Sequence, residues 1–180
     1  SATPERVPEA WVTPSLFQTL GTRPLMGRLF SAADDQAHSA PTAILSEQEW
    51  RGRWHADPNI VGRTIDIDGV ATEIVGVLPA AFAFPASNIA VWVPFVIPDN
   101  QYLGSFSFRA VGRLRAGVSL AAAQQELQQI LAGVAKAYPE QRAGISTASA
   151  LAATKAVVVL HPMRDDAIGS FARILWLVAA

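Results

Sequence analysis

Along this chain, stretches of alternating apolar and polar residues are interleaved with stretches where apolar residues recur every three or four positions. Such a mixture predicts an α+β fold. The clearest strand signal is a hairpin from Arg63 to Leu78. Thr64-Ile65-Asp66-Ile67 alternates, Asp68-Gly69 supplies a two-residue type I′ turn, and Thr72-Glu73-Ile74-Val75 returns. The turn sets Ile67 opposite Val70 and Ile65 opposite Thr72. Further strands are predicted at Arg6–Val12, Ala43–Leu45, Val91–Val93, Phe108–Leu114 and Ala156–Leu160. Pro79, Pro85, Pro94 and Pro98 keep the chain extended after the hairpin.

The helical stretches carry their own punctuation. Thr13 is placed to cap a short helix whose first residue is Pro14, with Gly21 as the left-handed residue after its end. Ser46-Glu47-Gln48-Glu49 reads as a capping box opening a helix with Trp50 and Trp54 on one face. After the Ala116-Gly117 turn, Ser119 caps a long helix to Tyr138, and Pro139 ends it. Leu120, Ala123, Leu127, Ile130, Leu131 and Val134 form a stripe predicted to be buried; Gln124, Gln125, Gln128, Gln129 and Lys136 line the opposite face. Ala148–Ala153 reads as a loop or a ragged helix. From Ala167 a helical pattern runs into the apolar Ile174–Ala180.

Composition narrows the function classes. A net charge of −1 lacks the basic surplus of a nucleic-acid binder, and zero cysteines exclude a disulfide framework, a zinc–thiolate site and a thiol nucleophile. His38, His55 and His161 fall at no shared metal spacing. Asp34-Asp35 and Asp165-Asp166 are adjacent and point apart. Asp34, three residues after Ser31, reads as a local cap, and Asp34, Asp35, His38, His55 and Asp165 are all expected to be dispensable. No GxGxxG, Gly-Lys-Ser/Thr or GxSxG pattern occurs, so no phosphate cradle or nucleophile elbow is expected. The five tryptophans read as core rather than as a stacking platform. The expectation is therefore no catalytic, cofactor-binding or metal residue, and no enzyme.

The order of motifs says more than any one of them. Val12-Thr13-Pro14-Ser15-Leu16-Phe17 is followed by Leu20-Gly21-Thr22-Arg23-Pro24-Leu25-Met26-Gly27-Arg28. Then come Ala43–Ser46 with Trp50, Asp57-Pro58-Asn59-Ile60-Val61-Gly62-Arg63, and Ile74-Val75-Gly76-Val77-Leu78-Pro79 with Phe82. Val91-Trp92-Val93-Pro94, Gly112-Arg113-Leu114-Arg115-Ala116-Gly117-Val118-Ser119 and Tyr138-Pro139 complete the series. Over about residues 6–142 this resembles the MacB-like periplasmic core domain of MacB/FtsX-type ABC transporter permeases, and most nearly their acidobacterial-type duplicated permease subfamily. The motif residues carried by the resemblance are Gly21, Gly27, Arg28, Trp50, Gly62, Asp68, Gly69, Gly76, Pro79, Trp92, Pro94, Gly112, Arg113 and Gly117.

The resemblance implies an α+β domain with two subdomains. A porter-like one is expected from residues 1–30 and 102–166, with a Sabre-like one holding the hairpin inserted at 31–101. Residues 167–180 are expected to begin a transmembrane helix, tethering a periplasmic domain to the inner membrane. The implied partners are a second permease in a dimer, a cytoplasmic ATPase reached through the membrane helices, and a periplasmic adaptor protein; nucleic acid is not among them. The implied role is non-catalytic: passing conformational change from the ATPase and docking partners or substrate during export. The alternative is a module that holds a lipid, a peptide or a small hydrophobic molecule.

Overall fold

The computed structural model describes residues 6–96, 109–139 and 146–163. Of these, 6–96 and 109–113 belong to one unit, and 114–139 and 146–163 to a second. The first unit is built on one mixed sheet of β1 (Glu9–Val12), β2 (Met26–Gly27), β3 (Thr42–Ser46), β4 (Thr64–Ile67), β5 (Val70–Leu78) and β6 (Val91–Pro94). The strand order is β1-β6-β3-β5-β2, with β4 also on β5. β1 lies parallel to β6 and β3 parallel to β5. β1 and β2 thus share one sheet with the strands of residues 42–94. Residues 9–12 and 26–27 pair with residues about fifty or more positions further along, a link that no local pattern encodes.

Side-chain alternation sorts the strands' apolar residues onto two faces. Ala43, Leu45, Ile74, Val77, Val91 and Val93 join Trp50 and Ile60 on one face. Ala10, Val12, Ile44, Val75, Leu78 and Trp92 join Phe17 and Phe30 on the other. Strict alternation would put Ile74 and Val77 on opposite faces. They share one because the β3–β5 register slips, with Ala43 opposite Ile74 but Ile44 opposite Gly76. The extra residue reverses the parity of the strand beyond it.

Each face has its helix. α1 (Ser15–Leu20) brings Phe17, fully buried, and α2 (Glu47–Arg53) brings Trp50. Gly21 ends α1 at φ 71° as expected. The start of α1 differs from expectation. Pro14 itself occupies the cap position with helical dihedrals, and the Thr13 hydroxyl meets Ser15 Oγ at 3.1 Å instead of a backbone N–H. At α2, Ser46 Oγ accepts from the Glu49 N–H at 3.0 Å, but the reciprocal half of the box is not made. The Ser46 N–H already donates to Ala90 O, and the Glu49 carboxylate pairs with Arg53.

The second unit contains α3 (Leu120–Ala137) and α4 (Thr147–Thr154), started by Ser119 and Ser146, whose hydroxyls each accept from a backbone N–H at 3.1 Å. Thr147 is buried, with its N–H on Pro139 O and its hydroxyl on Tyr138 O. The apolar stripe of α3 is not buried as predicted: Ala123 alone is buried, while Leu127 and Ile130 are exposed. Periodicity fixes which side chains share a face but does not supply a covering element. Likewise, neither 109–114 nor 156–160 enters a ladder among the described residues. The latter still alternates half-buried and exposed, and its Val158 N–H donates to the Gln128 side chain instead of a neighbouring strand. The helix predicted from Ala167 and the apolar run Ile174–Ala180 lie outside the described residues, as do Pro98 and Phe108. Among the described residues, no helix is long and apolar enough to cross a membrane.

Candidate functional site

The motif residues fall in the first unit, except Gly117, which turns the chain at φ 80° just before α3. Gly27 and Gly76 are directly opposed in the β2–β5 pairing. A Cβ on Gly27 would stand 2.2 Å from Val75 O, and one on Gly76 would stand 2.3 Å from Arg28 O. Both positions are closed to any side chain, so the short strand β2 can lie flat against β5.

Arg28 follows that contact and reaches Asp34 through two parallel hydrogen bonds, Nη1 to Oδ2 at 2.7 Å and Nη2 to Oδ1 at 2.9 Å. Asp34 also accepts from the Ser31 N–H and hydroxyl, both at 2.7 Å, and from Thr42 Oγ1 at 3.3 Å. The carboxylate is 6% exposed, yet every neighbour donates to it. Hydrogen bonding from Arg28 outweighs burial and holds Asp34 well below the usual carboxylate range, and the same bond raises Arg28. This corrects the sequence reading. Asp34 does receive Ser31 as a local cap, but it is also the centre of a brace joining the loop after β2 to β3. His38 and His55, by contrast, occupy left-handed loop positions at φ 69° and 51°.

The other motif residues brace in the same manner. Trp50 Nε1 donates to Asp57 O at 2.9 Å, and the Arg51 guanidinium lies over the Trp50 ring. The Asp57 carboxylate accepts from the Asn59 N–H and pairs with Arg63 at 2.9 Å. Gly62, at φ 86°, donates its N–H to Ile74 O, tying this loop to β5. Asp68 and Gly69, at φ 51° and 81°, form the hairpin turn, and the observed pairs Ile67–Val70 and Ile65–Thr72 are those predicted. Past Pro79, the Ala80 N–H and Arg51 hold the Glu47 carboxylate below its ordinary range. Trp92 donates to Phe84 O at 3.1 Å and meets Phe82 edge-on, in an aromatic chain that continues through Phe17 to Phe30. Pro94 pairs with Val12 at the end of β6. Gly112 is exposed, and Arg113 donates twice to Thr19 O.

Among the described residues, the ion pairs Arg28–Asp34, Arg51–Glu47, Arg53–Glu49 and Arg63–Asp57 fix loops and helix turns. Among the described residues, no three His, Asp or Glu side chains cluster as metal ligands. The Arg28–Asp34 and Arg113–Thr19 contacts escaped the sequence reading. Ser31 and Asp34 at cap spacing hinted at the first; nothing local pointed to the second.

Residues 3–130 match the family described as MacB-like periplasmic core domain. The chain is 30% identical over 119 residues to the macrolide export ATP-binding/permease protein MacB of Burkholderia thailandensis, covering 64% of this chain and 18% of that protein. The protein of the same name from Burkholderia cenocepacia is 30% identical over 123 residues, again with 18% of its length covered. The chain thus spans less than a fifth of these relatives. The periplasmic region of MacB from Actinobacillus actinomycetemcomitans has a similar fold, with a TM-score of 0.50 at 15% identity, covering 84% of this chain and 66% of that one. With the family match spanning most of its length and the mixed α+β fold in agreement, the chain belongs to the MacB-like periplasmic core domain family.

Proposed function

We propose that this chain is the periplasmic, non-catalytic portion of an ABC transporter permease, and that it passes conformational change from a cytoplasmic ATPase outward during export. The family match over residues 3–130 carries the reading. The bracing supports it: a sheet packed on both faces, with its loops pinned by ion pairs, moves as a body and so transmits displacement instead of absorbing it. The partners in this reading are a second permease subunit, the ATPase and a periplasmic adaptor. A porter-like and a Sabre-like subdomain, and a membrane helix from residue 167, belong to the same proposal.

The test uses the full-length permease containing this chain. The chain has no cysteine of its own, so a cysteine pair can be introduced at exposed positions, one in each unit, and spin-labelled. Addition of ATP should shift the label-to-label distance. A distance unchanged through the ATPase cycle, with hydrolysis intact, would refute transmission. A lipid or peptide co-purifying at one per chain would favour the ligand-holding alternative.

A further inference from the structure

α1 is only six residues long, and the last carbonyls of any helix need partners from outside it. Two are supplied by the chain turning back at Gly21: the Gly21 N–H donates to Gln18 O and the Thr22 N–H to Phe17 O, both at 3.1 Å. The next carbonyl, Thr19 O, takes both its donors from a residue 94 positions away. Arg113 Nε reaches it at 3.0 Å and Nη2 at 2.7 Å. The same Nη2 lies 3.6 Å from where a Cβ on Gly21 would stand, an ordinary contact distance. Residues 109–113 belong to the first unit yet enter no strand among the described residues, and at Leu114 the chain passes to the second unit.

We infer that Arg113 is a clasp that holds residues 109–113 on the first unit, where the chain passes on to Leu114. With the clasp closed, a pull arriving through residue 114 acts on α1, and through Phe17 on the aromatic core. With it open, slack in 109–113 absorbs the pull. The functional half of this inference rests on the transmission reading above; the clasp itself does not. Arg is needed for its planar fork, which directs two N–H groups onto one oxygen. A lysine would keep only the positive charge that favours a helix C-terminus.

Two measurements test it, on Arg113→Ala and Arg113→Lys. In the chain itself, tryptic cleavage at Arg109 and Arg115 should accelerate about fivefold in Arg113→Ala, the factor expected from losing one net hydrogen bond. A nitroxide at Ala110→Cys should gain a mobile component, with the melting midpoint unchanged, and Arg113→Lys should recover only part of the protection. Cleavage and label mobility identical to the parent would overturn the clasp. In the full permease, Arg113→Ala should keep ATP hydrolysis while export falls. Unimpaired export in a variant whose strap is demonstrably loosened would overturn the functional half alone. Failure of transmission itself would appear separately, as an absent ATP-driven distance change in the parent protein.

Discussion

Phe17, Ile44, Ile74 and Trp92 in the first unit are less than 2% exposed, whereas Leu127 and Ile130 on α3 are 39% and 57% exposed. The two regions have comparable amphipathic patterns but reach different ends. A sheet packed from both sides gives each strand residue a neighbour whichever way it points, and each large side chain so buried contributes about 1.5–3 kcal/mol. Among the described residues of the second unit, only Ala123 and Thr147 are buried. Among its described residues the polar contacts include two serine caps, the Thr147 contacts and the Gln128 side chain on Val158. Caps contribute about 0.5–2 kcal/mol each, and an isolated helix as short as the eight-residue α4 is marginal in water. The difference teaches that, among the described residues, one unit is held by side chains packed from both sides of a sheet and the other by contacts close in sequence.

The largest effect should come from Gly76→Val, whose Cβ would meet the Arg28 backbone carbonyl, which cannot yield as a side-chain tip would. We expect a loss of about 4 kcal/mol or more. Denaturant unfolding followed by tryptophan fluorescence reads it, since four of the five tryptophans, Trp11, Trp50, Trp54 and Trp92, lie in the first unit. Amide exchange on α3 sharpens the comparison. Protection there should survive, and its joint loss would show the two units to be one cooperative body.

Next is Asp34→Asn, which leaves Arg28, Ser31 and Thr42 arranged around a neutral group. Removing one partner of a buried pair costs about 3 kcal/mol, and the half-exposed Arg28 places this case at the low end. The sign with pH follows from the depressed folded pKa. The carboxylate's contribution is complete above its unfolded value of about 4 and fades as pH falls below that. The gap between parent and variant should therefore be constant near neutrality and close in acid. A gap that persists unchanged at low pH would mean that the charge is not what holds the loop.

These two sites also show where the sequence was legible. The hairpin was readable to its register because an Asp-Gly turn fixes both backbone twist and pairing within a few residues. The Ser46 and Ser119 caps and the left-handed Gly21 were readable for the same reason. Arg28–Asp34 was half-readable, as a cap, because its other half depends on β3 lying alongside. The β1–β6 pairing, the Gly27–Gly76 approach and Arg113 on Thr19 are contacts between distant segments, and no spacing announces them. Residues 109–114 and 156–160 show the converse. Their patterns suit strands, but a strand is assigned by its partner, and none pairs with them among the described residues.

A smaller effect is expected at the hairpin tip. Gly69 sits at φ 81° with open space where a Cβ would stand, so Gly69→Ala meets no clash and pays only for its left-handed backbone. The loss should be about 1 kcal/mol. Thermal melting should show a single shifted transition. An unaltered melt would mean that β4 contributes little to the sheet.

The smallest effect should be at Ile130, although sequence periodicity alone would rank it beside Ile74. Each lies on the apolar face of its element, and replacing either with serine removes a similar hydrocarbon surface. Ile74 is fully buried, so its loss leaves a cavity and a hydroxyl among apolar neighbours, with a cost of several kcal/mol. Ile130 is 57% exposed, and Ile130→Ser should stay within about 0.5 kcal/mol, with the slight helix-propensity penalty as its main part. Circular dichroism at 222 nm and exchange of the α3 amides would follow it, since four of the five tryptophans lie in the other unit. Should Ile130→Ser prove as costly as Ile74→Ser, the stripe of α3 would be covered in solution. The contrast between a unit packed on both faces and one held by contacts close in sequence would then fail at the residue where it is sharpest.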